Sequence, residues 1–293
     1  MDIAQIRTFV ELSRTRHFGK AAKSLFITQS TVSVRIRMLE ESLGVRLLTR
    51  DRNNIQLTAA GTRFLPLAEQ MLNTWSLAKQ TTGLADESKM LLSIGAVFSL
   101  WDTGLKSAIF KFYQAQINVA VNLIAQTQEQ LYRSVIEGNV DMCLMYEQPQ
   151  VSDLEVLAIG SLKLVLASTH KDSNCEQDMG GQDYVLVNWG TAFSVLHAKH
   201  FPNISAPSMH VDFARIALDF LIENGGSAYL AKSMISQELS NKSLFIVDDA
   251  PVINREFFLV YKTNTTKIDM INDFADFLSR TLNKVQKEAN SIS

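Results

Sequence analysis

The sequence predicts an α/β chain in three parts: a head of short helices and a hairpin, one long helix, and a body of alternating strands and helices. Three observations predict it. Charge is split: the 293 residues carry a net −2, yet residues 1–65 hold eleven Lys/Arg against five Asp/Glu, leaving the remainder at −8. The residues at 64, 68, 71, 75 and 78 are spaced 4, 3, 4, 3, the repeat of a helical seam. From residue 90 onward strand-like and helix-like stretches alternate, which implies mainly parallel sheets covered by helices. A basic head on an acidic body points to a polyanion as the partner of the head, against the plainer reading of an uneven solvated surface.

Composition narrows the functional classes. Hydrophobic residues make up 46% and charged residues 20%, enough apolar material for sizeable cores, and the length favours two domains over one. Two cysteines exclude a disulfide scaffold, and no run approaches the roughly 18 to 20 apolar residues of a membrane span. The first residues include Asp2, Arg7, Glu11, Arg14 and Arg16 and no apolar stretch, so no export signal is expected. The expectation is a soluble, reduced, cytoplasmic protein without membrane partners, nucleoid-associated when on DNA.

In the head, Ile3, Ile6 and Val10 recur at helical spacing with Phe9 beside them, predicting a helix over 3–14. A short helix fits Gly19 to Leu25. Thr28 is placed to N-cap a third helix that runs to Leu43 and stops at Gly44. Residues 47–50 and 54–57 are extended pieces around the turn-rich Asp51-Arg52-Asn53-Asn54, a hairpin wing. On the third helix Val32, Ile36, Leu39 and Leu43 form the buried face. Ser30, Ser33, Val34 and Arg37 lie roughly 100–200° round from Val32, with Gln29 at the N-terminal shoulder. An Arg, hydroxyls, an amide and a methyl-bearing side chain are the groups that read a major groove. Arg35 falls to one side, for phosphate or packing. A solvated helix face is the alternative on this helix alone. The preceding short helix, tight turn and basic wing make the whole a winged helix-turn-helix for double-stranded DNA. The contact set is Thr28, Gln29, Ser30, Thr31, Ser33, Val34, Arg35 and Arg37, with Arg50, Arg52 and Asn53 on the wing.

The run AAKSLFITQSTVSVRIRMLEESLG (21–44), with LLTR (47–50) and LTAAG (57–61), resembles the signature of LysR-type transcriptional regulators. Thr31 and Leu48 depart from it, where a small Ala and a Phe are usual, and both keep size or burial. Segments 14–22, 52–61 and 93–101 further resemble the branch that regulates an enterobacterial flagellar master operon, which implies repression of flagellar genes. The family resemblance implies a homodimer or homotetramer on a dyad-symmetric promoter site, acting as repressor or activator. A small-molecule effector and RNA polymerase are further candidate partners.

Thr58 opens the long helix, expected to reach about Ala85, with Phe64, Ala68, Met71, Trp75 and Ala78 as its dimerisation seam. Packing against its own domain is the competing reading. The expected boundaries are 1–58 for the head, 59–89 for the linker helix and 90–293 for a two-lobed, periplasmic-binding-protein-like effector domain, with lobe I at 90–161 and 266–293 and lobe II at 162–265. Expected strands include 91–97, 119–125, 141–146, 163–168 and 256–261, with helices at 100–114 and 128–138. Ser99 with Asp102 and Thr127 with Gln130 fit the capping-box spacing, placing two helix starts at the carboxyl ends of strands. Such starts attract anions, although plain capping needs no ligand, and Asp102 and Glu129 oppose a strongly acidic effector. By the family resemblance the effector candidates are Ser99 and Thr127, then Trp101, Gln126 and Tyr146, with Trp189 and Phe213 on the second wall.

Catalysis finds little in the sequence. The five histidines show no metal-ligand spacing, since His197 and His200 lack a third ligand, and neither P-loop nor GxGxxG occurs. No metal, cofactor or enzymatic activity is expected. A cytoplasmic small-molecule sensor without DNA binding is the alternative function, and it is disfavoured because a protein-contact face should be more apolar at its centre than this third helix.

Overall fold

The computed structural model describes residues 1–51, 54–82, 90–116, 119–180, 183–204 and 206–290. The chain divides into two compact units, Met1–Glu87 and Ser88–Ser293.

The first unit contains α1 (Ile3–Thr15), α2 (Phe18–Ser24), α3 (Gln29–Leu43), β1 (Leu48–Asp51), β2 (Asn54–Leu57) and α4 (Ala59–Thr82). Each helix start has a local cause. Asp2 and Gln5 form a reciprocal capping box for α1. His17 Nδ1 accepts the Gly19 and Lys20 N–H groups at α2, so that helix begins one residue before the sequence expectation. Thr28 Oγ1 accepts the Thr31 N–H at α3, and Gly44 (φ 69°) ends that helix in the left-handed region. Ile6, Phe9, Leu12, Val32, Ile36 and Leu39 are buried together. Each is worth about 1.5–3 kcal/mol, enough to hold three short helices that are individually marginal.

The antiparallel β1–β2 hairpin pairs Leu48 with Leu57 and Asp51 with Asn54. Its base is tied to the helices by side chains. Glu40 Oε1 accepts the N–H groups of Leu47 (2.8 Å) and Leu48 (3.1 Å). Thr58 Oγ1 donates to the Arg46 carbonyl (2.7 Å) and accepts the Gly61 N–H (3.0 Å), which starts α4. Gly61 is required there, because a Cβ would lie 2.1 Å from the Leu47 carbonyl oxygen. The first turns of α4 are core: Phe64 packs on Phe9 (5.4 Å between centroids) and Ala68 is fully buried.

The second unit runs β3 (Met90–Val97), α5 (Lys106–Ala115), β4 (Val119–Gln126), α6 (Gln128–Ile136), β5 (Met142–Met145), β6 (Leu154–Ser168), α7 (Cys175–Gly180), β7 (Tyr184–Val187), α8 (Thr191–His200), β8 (Met209–Val211), α9 (Ala214–Asn224), β9 (Ser227–Ala231), α10 (Ser236–Ser240), β10 (Phe245–Ile246), β11 (Ile253–Lys262) and α11 (Ile268–Asn290). The strands join in the order β4-β3-β5-β11-β6-β9-β7-β8, with β10 on β6. Two long antiparallel strands, β6 and β11, run side by side with a register shift between Phe257 and Phe258. On one side of that bulge, β11 continues into β5, β3 and β4. On the other, β6 continues into β9, β7 and β8. Two half-sheets, each carrying its own helices, therefore share one pair of strands and face each other across the bend.

The expectation of mainly parallel sheets needs correction. Pairs β3–β4, β3–β5, β7–β8 and β7–β9 are parallel, but every pairing made by β6 or β11 is antiparallel. Chains that pass from one half-sheet to the other and return must run in opposite senses. The helix expected at 100–114 is also broken. Phe98–Leu100 is a 3₁₀ turn, Trp101–Leu105 a wider π turn, and Gly104 (φ 108°) interrupts the helical backbone before α5. Phe112 meets Phe274 and Phe277 of α11, and Lys267 Nζ bonds Asp141 and the Leu91 carbonyl, fastening α11 to the first half-sheet. No helix among the described residues is long and apolar enough to cross a membrane.

Candidate DNA interface and effector cleft

Burial on α3 separates two faces. Val32, Ile36 and Leu39 are buried, while Gln29, Ser30, Val34 and Arg37 are exposed. The remaining polar positions are restrained. Thr28 Oγ1 lies 2.8 Å from the hydroxyls of both Ser30 and Thr31, and Ser33 Oγ donates to the Gln29 carbonyl. Arg35 is half-buried and its guanidinium reaches Thr8 Oγ1 at 3.5 Å. Arg50 lies on β1, paired through its backbone with Ile55. Arg52 and Asn53 lie outside the described residues. On α4, Phe64 and Ala68 point into the head's own core, so the exposed part of the expected seam is Met71, Trp75 and Ala78.

In the second unit a cleft of about 530 Å³ opens at the carboxyl ends of β3, β4 and β5 on one lobe and of β7 on the other. Four expected residues meet there: Ser99, Gln126, Thr127 and Tyr146. Thr127 caps α6 with Gln130 in a full capping box. Ser99 does not cap, which corrects the sequence reading. It is buried, donates to the Asn188 carbonyl (3.1 Å) and accepts the Tyr146 hydroxyl (2.9 Å), while Asp102 pairs with Lys106 instead. Burial drives the Tyr146 phenol well above its usual pKa, so it stays a donor.

Three expected residues stay outside the cleft lining. Trp189 is fully buried and donates to the Tyr229 carbonyl, Trp101 donates to the Ala96 carbonyl, and Phe213 packs on Phe98 with the rings tilted and 4.5 Å between centroids. In their place the fold supplies a charged floor. Arg255 of β11 is buried, bonds the Trp189 carbonyl (2.8 Å) and Glu147, and sits 4.8 Å from the Tyr146 ring centroid. Glu147 Oε1 also accepts the Thr191 N–H at the start of α8 (2.9 Å). Gly190 (φ 88°) lets the strands close on this cluster, since a Cβ would lie 2.8 Å from both Arg255 Nη2 and Glu147 Oε1.

Residues 3–62 match the model of the bacterial regulatory helix-turn-helix protein, lysR family, and residues 85–283 match the LysR substrate binding domain. The chain is a LysR-type transcriptional regulator. As such it is a DNA-binding protein with an effector-binding domain and not an enzyme. This LysR-type regulator is 34% identical over 279 residues to the HTH-type transcriptional regulator HdfR of Yersinia pestis (strain Pestoides F), covering 92% of this chain and 94% of that one. Its fold is shared with full-length CbnR in complex with its target DNA (TM-score 0.69, 19% identity, 96% of this chain and 100% of that one). Vibrio fischeri DarR in complex with DNA is also similar (TM-score 0.57, 17% identity, 96% and 98%).

Sequence reasoning missed Glu147, Asn188 and Arg255. Arg255 occupies the buried face of β11 between Ile253 and Phe257, flanked by the exposed Asn254 and Glu256, and Glu147 follows a buried strand end, so neither carries a local motif. The available signal was alternation: with Asn254 and Glu256 facing out, Arg255 falls on the same face as Ile253 and Phe257.

Proposed function

We propose that two copies of this regulator recognise a dyad-symmetric promoter site, each laying the exposed face of α3 in a major groove with its wing on the flanking backbone. The observation that carries this reading is the division of α3 into a buried apolar stripe and an exposed face bearing Gln29, Ser30, Val34 and Arg37. Thr28, Thr31, Ser33 and Arg35 support that face, and Arg50, Arg52 and Asn53 serve the phosphates. The copies pair through Met71, Trp75 and Ala78 of α4, as a dimer or a dimer of dimers. A small effector binds the cleft between the lobes, and its occupancy changes the spacing of the paired heads. The HdfR likeness makes a flagellar promoter the first target to examine.

The experiment is selection of genomic fragments by the purified full-length chain, with affinity followed across salt. A discrete site with half-sites about 34–36 Å apart, or a multiple of that, supports the reading. Salt-steep binding without sequence preference leaves an architectural DNA-binding protein. Failure to bind duplex at low salt defeats the reading.

A further inference from the structure

The geometry points to an effector cleft whose anion seat is filled by the chain's own Glu147, so that the ligand is a small organic cation, an ammonium, and not a carboxylate. This rests on the reading of the inter-lobe cleft as the effector site. Two helix N-termini face the cleft, and a bare helix N-terminus beside an arginine would bind an anionic ligand. Each already carries a capping contact from the chain itself. The start of α6 is closed by Thr127 and Gln130. The start of α8 is closed by Glu147, whose Oε1 takes the Thr191 N–H.

Glu147 also takes Arg255, and Arg255 spends its Nε on the Trp189 carbonyl. Arg255 is buried and Glu147 is 30% exposed to the cleft, with Gly190 packed against the ends of both side chains. An incoming carboxylate would have to displace Glu147 from two partners, the Arg255 guanidinium and the Thr191 N–H. What lines the rest of the cleft is acidic. Glu129, Glu147 and Asp212 line it, and among the described residues no lysine or arginine does. Asp212 accepts one hydrogen bond from Asn188 Nδ2. A volume of about 530 Å³ suits a small molecule.

The test uses the full-length protein at constant ionic strength, with 1,4-diaminobutane and ethanolamine as cationic probes and acetate and benzoate as anionic ones. Calorimetric titration should show the cations binding wild type and E129Q/D212N binding them at least tenfold more weakly, with acetate and benzoate inert toward both. In E147A, where the seat is vacated, acetate should raise the melting temperature by several degrees relative to chloride, and should not do so in wild type. If E147A fails to fold, the wild-type and E129Q/D212N comparison still decides. Carboxylates binding wild type as well as the cations do, or no cation binding at all, overturns the inference. A protein that still selects a discrete DNA site while refusing the cations defeats only this inference. Loss of DNA binding defeats the promoter reading instead.

Discussion

Arg37 and Arg52 are asked to do different things on DNA. Arg37 stands exposed on α3 among groups suited to base edges, while Arg52 is the residue proposed above for the phosphates. A base contact is lost as specificity, about 1–3 kcal/mol for a good bidentate pair, whereas a phosphate contact is lost uniformly. Arg37→Ala should therefore relax sequence preference, and Arg52→Ala should weaken all duplexes and lower the salt slope by about 0.9. Equal losses with unchanged slopes, read by fluorescence anisotropy across a salt series, would refute that division. Gly61→Ala tests the base of the wing. Its Cβ meets a backbone carbonyl and not a side chain that can move, so a loss of about 1–3 kcal/mol is expected in urea melts. A neutral change would show that β1 can slide away from α4. Residues whose roles are local were legible beforehand. Thr28, Gly44 and Thr127 cap helices through neighbours three or four positions away, and sequence carries that spacing. Ser99 was misread for the opposite reason: its partners Tyr146 and Asn188 lie 47 and 89 positions along the chain.

At the level of elements, α4 shows how one periodicity serves two purposes. The 4-3-4-3 spacing is continuous, yet its first two members, Phe64 and Ala68, seal the head's own core while Met71 and Trp75 remain 37% and 45% exposed. The spacing alone could not divide the helix, because both burial against the same chain and burial against a second copy select the same stripe. The division makes a clean experiment. Met71→Glu with Trp75→Glu should dissociate the oligomer in sedimentation velocity and leave far-UV ellipticity and duplex-independent melting of the head intact. Phe64→Glu should unfold the head as well. Retention of the oligomer by the double variant would place the pairing surface elsewhere. The strands followed the same logic. Strands β3 and β7, buried over most of their length, read clearly as apolar runs, whereas the first nine residues of β6 did not, because Glu155, Gly160 and Ser161 interrupt the pattern where the strand passes between lobes.

For the whole molecule, one contribution to stability against acid comes from a buried histidine that no motif marked. His197 lies in the second lobe among Phe193, Phe201, Tyr184 and Tyr229, with its Nε2 2.7 Å from the Tyr184 hydroxyl. Burial, aided by the nearby His200, lowers its pKa below the ordinary 6.5. The unfolded chain therefore takes up a proton near pH 6.5 that the native state refuses. Since stability rises with pH wherever the unfolded state binds more protons, this contribution is complete above 6.5 and is lost as pH falls from there through the native value. Carboxylates contribute their own acid loss in any variant, so the informative quantity is a difference. His197→Gln keeps a hydrogen-bonding partner for Tyr184 and removes the titration. Between pH 7.5 and 5.5 the wild-type second unit should lose more melting temperature than His197→Gln, with the first unit's transition changing alike in both. Parallel losses in the two proteins would show that the aromatic cluster opens enough to hydrate the imidazolium. The cleft would then sit on a lobe softer than its buried aromatic packing implies.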